Sequence, residues 1–77
     1  TSRDRIIDFA EKVSDPLRPV SREEFNRIFK VYNAYEKFLE ERHKTNGEVE
    51  VAHTIIEKAY EEHMKNHTFI ENIKNLD

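Results

Sequence analysis

The stretch Val20-Ser21-Arg22-Glu23-Glu24-Phe25 decides the fold, because it marks the start of a helix against which the rest of the chain must pack. Ser21 and Glu24 have the spacing of a capping box, in which each side chain binds the other residue's backbone N–H. Val20 and Phe25 flank the box as a hydrophobic staple. We predict a second helix from about Arg22 to Lys44. Its apolar residues cover well over half of its circumference, so it must contact more than one neighbour.

The first helix is predicted from about Arg3 to Val13, where apolar residues recur at helical spacing. It ends before Pro16, because the residue that precedes a proline is pushed away from helical angles. Both prolines of the chain lie within residues 15–20, which we interpret as a short, stiff connector between the first two helices.

The third helix is predicted to begin near Glu48, directly after the dipeptide Asn46-Gly47. Gly47 is the only glycine of the chain and fits a left-handed C-cap or turn position. Asn46, or the threonine before it, can also cap the helix that follows. We expect this helix to break near residues 66–68 and a short fourth helix to follow at 69–76, with a continuous third helix as the alternative.

Together these patterns predict an all-α fold, a small three-helix bundle in which a long antiparallel helix hairpin is joined by an N-terminal helix. A chain of 77 residues is short for more than one domain, so we expect residues 1–77 to form a single helical-bundle domain. The chain is cysteine-free, so neither a disulfide nor a thiolate zinc site can stabilise it. The predicted core consists of Ile6, Phe9, Ala10, Val13, Phe25, Ile28, Phe29, Tyr32, Leu39, Ala52, Ile55, Ile56, Ala59 and Ile70.

Charge is unevenly spread along the chain. Residues 1–30 hold seven Lys or Arg against six Asp or Glu, whereas residues 31–77 hold six against ten. An acidic C-terminal half is a poor surface for a polyanion but suits a basic partner. No apolar run approaches the roughly 18 residues that a membrane span needs, so we expect no membrane partner. The lack of Cys is compatible with a cytoplasmic location, which we expect for this chain.

The second helix carries apolar residues beyond the stripe that one neighbour would cover. Val31, Tyr35 and Phe38 extend its apolar arc toward the opposite side, and exposed apolar patches usually mark a partner surface. We therefore predict a small non-enzymatic interaction or regulatory module, which binds a protein partner or itself through helices 2 and 3 and needs no cofactor. The sequence shows neither a nucleophile beside a base nor a glycine-rich phosphate loop, so no motif in it points to an enzyme. The alternative for these three residues is a place in the core.

Basic residues beside the tyrosines of the second helix give an alternative function, a nucleic-acid-binding helical domain. Arg22, Arg27, Lys30 and Lys37 are interleaved with aromatic residues that can stack on bases. Neighbouring acidic residues weaken this positive field, and the third helix carries several glutamates that DNA would repel.

Two histidines give a weaker alternative, a metal-binding helical protein. His63 and His67 are four residues apart, so on one helix both would face the same side and hold one metal ion with a third ligand from elsewhere. His53 and Glu57 have the same spacing. For all of these side chains the competing interpretation is a structural role.

Overall fold

The computed structural model describes residues 1–71, which form three α-helices and no β-strand. Helix α1 covers Ser2–Val13, α2 covers Arg22–Glu41 and α3 covers Gly47–Asn66. Helix α1 packs against both other helices, and most extensively against α3. The prediction of a small all-α three-helix bundle is therefore confirmed.

The predicted start of α2 is present in full. The Ser21 hydroxyl accepts a hydrogen bond from the Glu24 N–H at 3.1 Å, and the Glu24 carboxylate accepts one from the Ser21 N–H at 3.1 Å. Glu24 also binds the Lys12 ammonium of α1. Burial raises the pKa of Glu24, but hydrogen bonds from Lys12 and Ser21 outweigh burial and hold this pKa below its usual value. The capping box thus also joins α2 to α1.

The turn between α2 and α3 differs from the prediction. Helix α2 ends at Glu41 rather than Lys44, and the left-handed residue is His43, with a φ of 53°. The N–H groups of His43 and Lys44 donate to the carbonyls of Glu40 and Leu39, which is the hydrogen-bond pattern of a Schellman motif. The reversal of the chain is therefore complete before the glycine is reached.

Gly47 is the first residue of α3 and not the turn residue. The Asn46 side chain accepts a hydrogen bond from the Val49 N–H at 3.1 Å and so caps this helix. The predicted left-handed role of Gly47 is wrong because the adjacent asparagine takes the N-cap position. Because of this cap, Gly47 lies within the helix, and the chain reverses direction over residues 42–45.

Helix α3 ends where the sequence predicted a break. His67, the C-cap residue, has left-handed backbone angles with a φ of 55°. The chain then returns to the connector between α1 and α2, where the Ile70 N–H donates to the Val20 carbonyl at 2.9 Å. Residues 72–76 of the predicted fourth helix lie outside the described residues.

The core combines residues of all three helices with residues from the segments that flank them. The buried cluster consists of Ile6, Ala10, Val20, Phe25, Ile28, Val49, Ala52, Ile56 and Phe69. The predicted core position of Ile55 is wrong, because this side chain lies at the edge of the α3 stripe and is 38% exposed. Val20, Val49 and Phe69 are buried without having been predicted. Two of them lie outside the helices, where helical periodicity carries no information.

Aromatic rings fill the space between α2 and α3. Phe25 meets the edge of Tyr60 with ring centroids 5.3 Å apart, and Phe29 meets the same ring at 5.4 Å. Nearer the turn, Tyr32 stacks on His53 with centroids 3.6 Å apart. Edge-to-face ring pairs contribute about 0.5–1.5 kcal/mol beyond the burial of their area. The distance between these two helices is therefore set by ring size.

Candidate interaction surface

The predicted partner site on α2 divides into packed and exposed parts. Val31 and Tyr35 are half-buried against the core, and the Tyr35 hydroxyl accepts a hydrogen bond from the Asn46 side chain at 3.2 Å. Phe38 is 47% exposed, with its ring beside that of Tyr35 and the Arg42 guanidinium 3.7 Å from its centroid. The structure therefore brings Tyr35 and Phe38 together, while Val31 contributes to packing.

A strongly apolar concave surface, the α1–α3 groove, lies between the first and third helices and has a volume of about 210 Å³. Its lining residues are Ile7, Ala10, Glu11 and Ser14 of α1 with Glu48, Val51, Ala52 and Ile55 of α3. Within it Val51 and Ile55, one helical turn apart, are 63% and 38% exposed. A concave apolar surface between two helices is a candidate binding site.

The periodicity of α3 explains why the groove stays open. Val49, Ala52 and Ile56 are buried. Val51 and Ile55 each lie one residue from a buried position, which rotates them by about 100° around the helix. No α2 residue lines the groove. The sequence indicates this groove through the width of the apolar stripe on α3, which is greater than α1 and α2 together cover.

The charged residues that line the groove, Glu11 and Glu48, are both acidic. The Arg3 guanidinium binds both Glu48 oxygens, at 2.6 and 2.9 Å, along an exposed edge of the groove. Glu11 stands on the α1 wall. The groove thus combines an apolar floor with carboxylates at its rim.

The four basic residues of the nucleic-acid alternative lie along α2, and two of them already have partners. Arg22 stacks on the Phe69 ring at 5.0 Å, and Arg27 binds a carboxylate one turn earlier at 2.8 Å. Lys30 and Lys37 are exposed. A neighbouring α1–α2 cleft of about 500 Å³ is lined by Arg5, Asp8, Phe9, Glu11, Lys12, Arg18, Glu24, Arg27 and Ile28. Its charges are mixed, so the local field is weaker than the number of cations suggests.

The two histidines of the metal alternative are separated by the end of α3. The His63 Nδ1 atom lies 2.7 Å from the Thr68 hydroxyl, and its ring stacks on Phe69 with centroids 5.5 Å apart. His67 is the C-cap residue. His67 has left-handed backbone angles and lies just beyond α3, so the helical spacing on which the metal prediction depends ends before it. Among residues 1–71, no three His, Cys, Asp or Glu side chains are grouped so that they could hold a metal ion.

A cluster of ionisable side chains, the polar seam, joins α2 to α3 near the turn. It consists of Tyr32 and Glu36 on α2 with Glu50, His53 and Glu57 on α3. The Tyr32 hydroxyl donates to the Glu50 carboxylate at 2.9 Å, and the parallel Tyr32 and His53 rings are stacked. The His53 Nδ1 atom lies 3.5 Å from the Glu57 carboxylate. Burial, and then the bond to Glu50, raise the pKa of the Tyr32 hydroxyl.

Glu36 and Glu50 form a carboxyl pair within the polar seam. Hydrogen bonding to Glu50, then burial and the charges of Glu50 and Glu40, raise the pKa of Glu36 to about 7. Hydrogen bonds from Glu36 and Tyr32 lower the pKa of Glu50. The raised pKa of Glu36 favours its protonated form. Glu36 and Glu50 belong to different helices, so no local sequence pattern indicates this pair.

No protein-family model, curated protein or solved structure matches this chain. Within residues 1–71, no helix combines the length and the apolar character needed to cross a bilayer.

Proposed function

We propose that this chain is a non-enzymatic protein-interaction module that binds an amphipathic helix with basic flanking residues in the α1–α3 groove. The observation that carries the proposal is the exposure of Val51 and Ile55 in a groove between two helices. Many recognition domains bind a partner by receiving the apolar face of its helix in such a groove.

The spacing of the exposed residues favours a helix as the occupant. Val51 and Ile55 are one turn apart, so they match apolar residues at positions i and i+4 of a partner helix. Ile7 on α1 provides the facing wall. A helix placed here would pack against α1 and α3 on the side that α2 leaves open.

The charge of the groove favours a basic partner. Glu11 and Glu48 line it, and residues 31–77 carry ten Asp or Glu against six Lys or Arg. Charges at the rim of an apolar interface contribute mainly to specificity and to the rate of association. Lys or Arg beside the partner's apolar residues would pair with Glu11, whereas Glu48 is already paired with Arg3.

The proposal keeps the predicted class of function and moves the main surface from α2 to α1 and α3. Val31 and Tyr35 have packing roles, so a partner on α2 would meet mainly Phe38. The α1–α3 groove offers two exposed aliphatic residues and a concave shape, which is why it is the stronger support.

A helical peptide library displayed on phage tests the proposal. The library is selected on the folded chain, with the double variant Val51→Asp/Ile55→Asp as the counter-target. We expect selected peptides to carry apolar residues at i and i+4 flanked by Lys or Arg, and to lose at least about tenfold in affinity for the double variant. The matched control is Met64→Asp, which changes a 43% exposed residue of α3 outside the groove and should leave affinity unchanged.

Two results would overturn the proposal. One is a set of selected peptides that lack basic residues or bind the double variant as tightly as the wild type. The other is self-association: light scattering over a concentration series would show a dimer that the double variant dissociates. In that case a second copy of the chain covers the groove. Circular dichroism of each variant confirms that it is folded.

A further inference from the structure

The turn between α2 and α3 carries a reactive dipeptide that the proposed function does not use. Asn46 is followed by Gly47, the only glycine of the chain. The backbone nitrogen after an asparagine can attack the side-chain amide, and glycine permits this attack best because it has no Cβ to obstruct the approach. Gly47 is exposed, and nothing lies within 4 Å of the position that a Cβ would take on it. Neighbouring side chains therefore do not shield the attacking residue.

The fold holds Asn46 in a conformation that cannot react. Its ψ of 98° turns the Cβ to the opposite side of the Cα–C bond from the Gly47 nitrogen, whereas ring closure requires both on the same side. Two hydrogen bonds fix the Asn46 side chain. Its oxygen accepts from the Val49 N–H at 3.1 Å, and its nitrogen donates to the Tyr35 hydroxyl at 3.2 Å. Both bonds must break before the amide carbon can reach the next backbone nitrogen.

We propose that Asn46 is a site of spontaneous deamidation that the N-cap of α3 keeps closed. When the cap opens, the Gly47 nitrogen loses its proton to solvent and forms a bond to the Asn46 Cγ. The Cγ–Nδ2 bond breaks, and ammonia leaves after taking a proton from solvent, which completes a succinimide ring. Water then adds to one ring carbonyl and opens the ring. Water is the only reactant, so the frequency of cap opening sets the rate.

The two products of ring opening affect α3 differently. Water that attacks Cγ leaves an aspartate, which caps a helix about as well as asparagine and can accept from both the Val49 N–H and the Tyr35 hydroxyl. Water that attacks the main-chain carbonyl carbon leaves an isoaspartate, in which the backbone runs through Cβ and Cγ. This adds a methylene group to the main chain and moves the carboxylate onto Cα. The isoaspartate form therefore loses the N-cap of α3.

Loss of this cap is expected to affect one wall of the α1–α3 groove. Glu48, which lines the groove, lies in the first turn of α3 and binds the Arg3 guanidinium of α1. An uncapped first turn frays, so the isoaspartate form should hold this ion pair less firmly. Deamidation itself depends only on the turn and is independent of what binds the groove.

Peptide mapping by mass spectrometry tests the site on the full chain, incubated in mildly alkaline buffer with and without urea. We expect Asn46 to deamidate at least about tenfold more slowly in the folded chain than in urea, because two hydrogen bonds hold the cap closed. Asn33 is the internal control, since it is exposed on α2 and is followed by alanine. In urea it should react far more slowly than Asn46.

Two variants separate the effect of the cap from that of the dipeptide. Tyr35→Phe removes one partner of the Asn46 side chain, so it should accelerate deamidation of the folded chain about fivefold and leave the rate in urea unchanged. Gly47→Ala keeps the cap, because a Cβ has room at this position, and should slow the reaction in urea toward the rate of Asn33. Circular dichroism confirms that each variant is folded without urea.

Three results would overturn the proposal. The first is an equal rate at Asn46 in the folded and the urea-unfolded chain. The second is an equal rate in the folded wild type and in folded Tyr35→Phe. The third is a rate at Asn46 in urea no higher than that at Asn33. If Tyr35→Phe does not fold, the ratio of the folded to the unfolded rate in the wild type decides.

Discussion

The two ends of the α2–α3 hairpin are held together by different chemistry. Far from the turn, at what we term the aromatic end, Phe25 lies among the rings of Phe9, Tyr60, His63 and Phe69. Next to the turn, the polar seam joins the same helices through hydrogen bonds and a stacked ring pair. Contacts between phenylalanine rings do not depend on pH, whereas ionisable groups such as the carboxyl groups of the seam do. We infer that stability is concentrated at the aromatic end and that the seam adjusts it.

The largest effect is expected at the aromatic end. Phe25→Ala should lower the free energy of unfolding by about 3–5 kcal/mol, because it empties a fully buried site that the surrounding rings cannot refill. Urea unfolding followed by circular dichroism measures the loss. Phe38→Ala, at the exposed end of α2, is the control and should cost less than about 1 kcal/mol. Equal losses at the two positions would contradict the comparison. If Phe25→Ala does not fold, Phe25→Leu provides a smaller, measurable loss.

An intermediate effect is expected where α2 passes between the two ends. Val31→Ser should cost about 2 kcal/mol, because Val31 packs against the core and the new hydroxyl is left in an apolar site. Phe38→Ser should cost less than about 1 kcal/mol. Thermal unfolding of the two single variants distinguishes them. A destabilising Phe38→Ser would mean that this ring belongs to the core.

The smallest effects compare the two N-caps, one at each end. Ser21→Ala should cost about 1 kcal/mol through loss of the α2 cap. Asn46→Ala should cost somewhat more, about 1.5 kcal/mol, because this side chain also binds the Tyr35 hydroxyl. Denaturant midpoints at pH 5.5 and 8 check both values. A larger loss for Ser21→Ala at both pH values would be inconsistent with this account.

The sequence predicted those helix ends that depend on residues a few positions apart. The capping box at Ser21, the Asn46 cap and the end of α3 near His67 each depend on residues a few positions apart. The left-handed residue is His43 and not Gly47. The C-terminal cap of α2 and the N-terminal cap of α3 lie within the same short turn, and the Asn46 cap places Gly47 inside α3. The position of the left-handed residue depends on the end of α2 and the start of α3 together. A pattern of a few neighbouring residues describes only one of these ends.

The candidate sites were harder to predict because they depend on how helices pair. Glu36 and Glu50 lie equally far from His43 on opposite sides of the turn, and in an antiparallel hairpin such residues face each other. The equal spacing of these two residues from the turn can be read from the sequence only once the position of the turn is known. Ile55 was placed in the core because α3 was expected to have its whole apolar stripe covered. Phe69 escaped prediction because its burial depends on the chain returning to Val20.

The contact between Ile70 and Val20 has a consequence for biosynthesis. Phe69, fully buried against Phe25, follows all three helices in the chain. A ribosome therefore exposes the three helices before the residue that completes their core has left the exit tunnel. The last step closes a loop of about fifty residues. Until then the nascent chain presents unpaired aromatic rings, which is the state that chaperones recognise and in which aggregation begins.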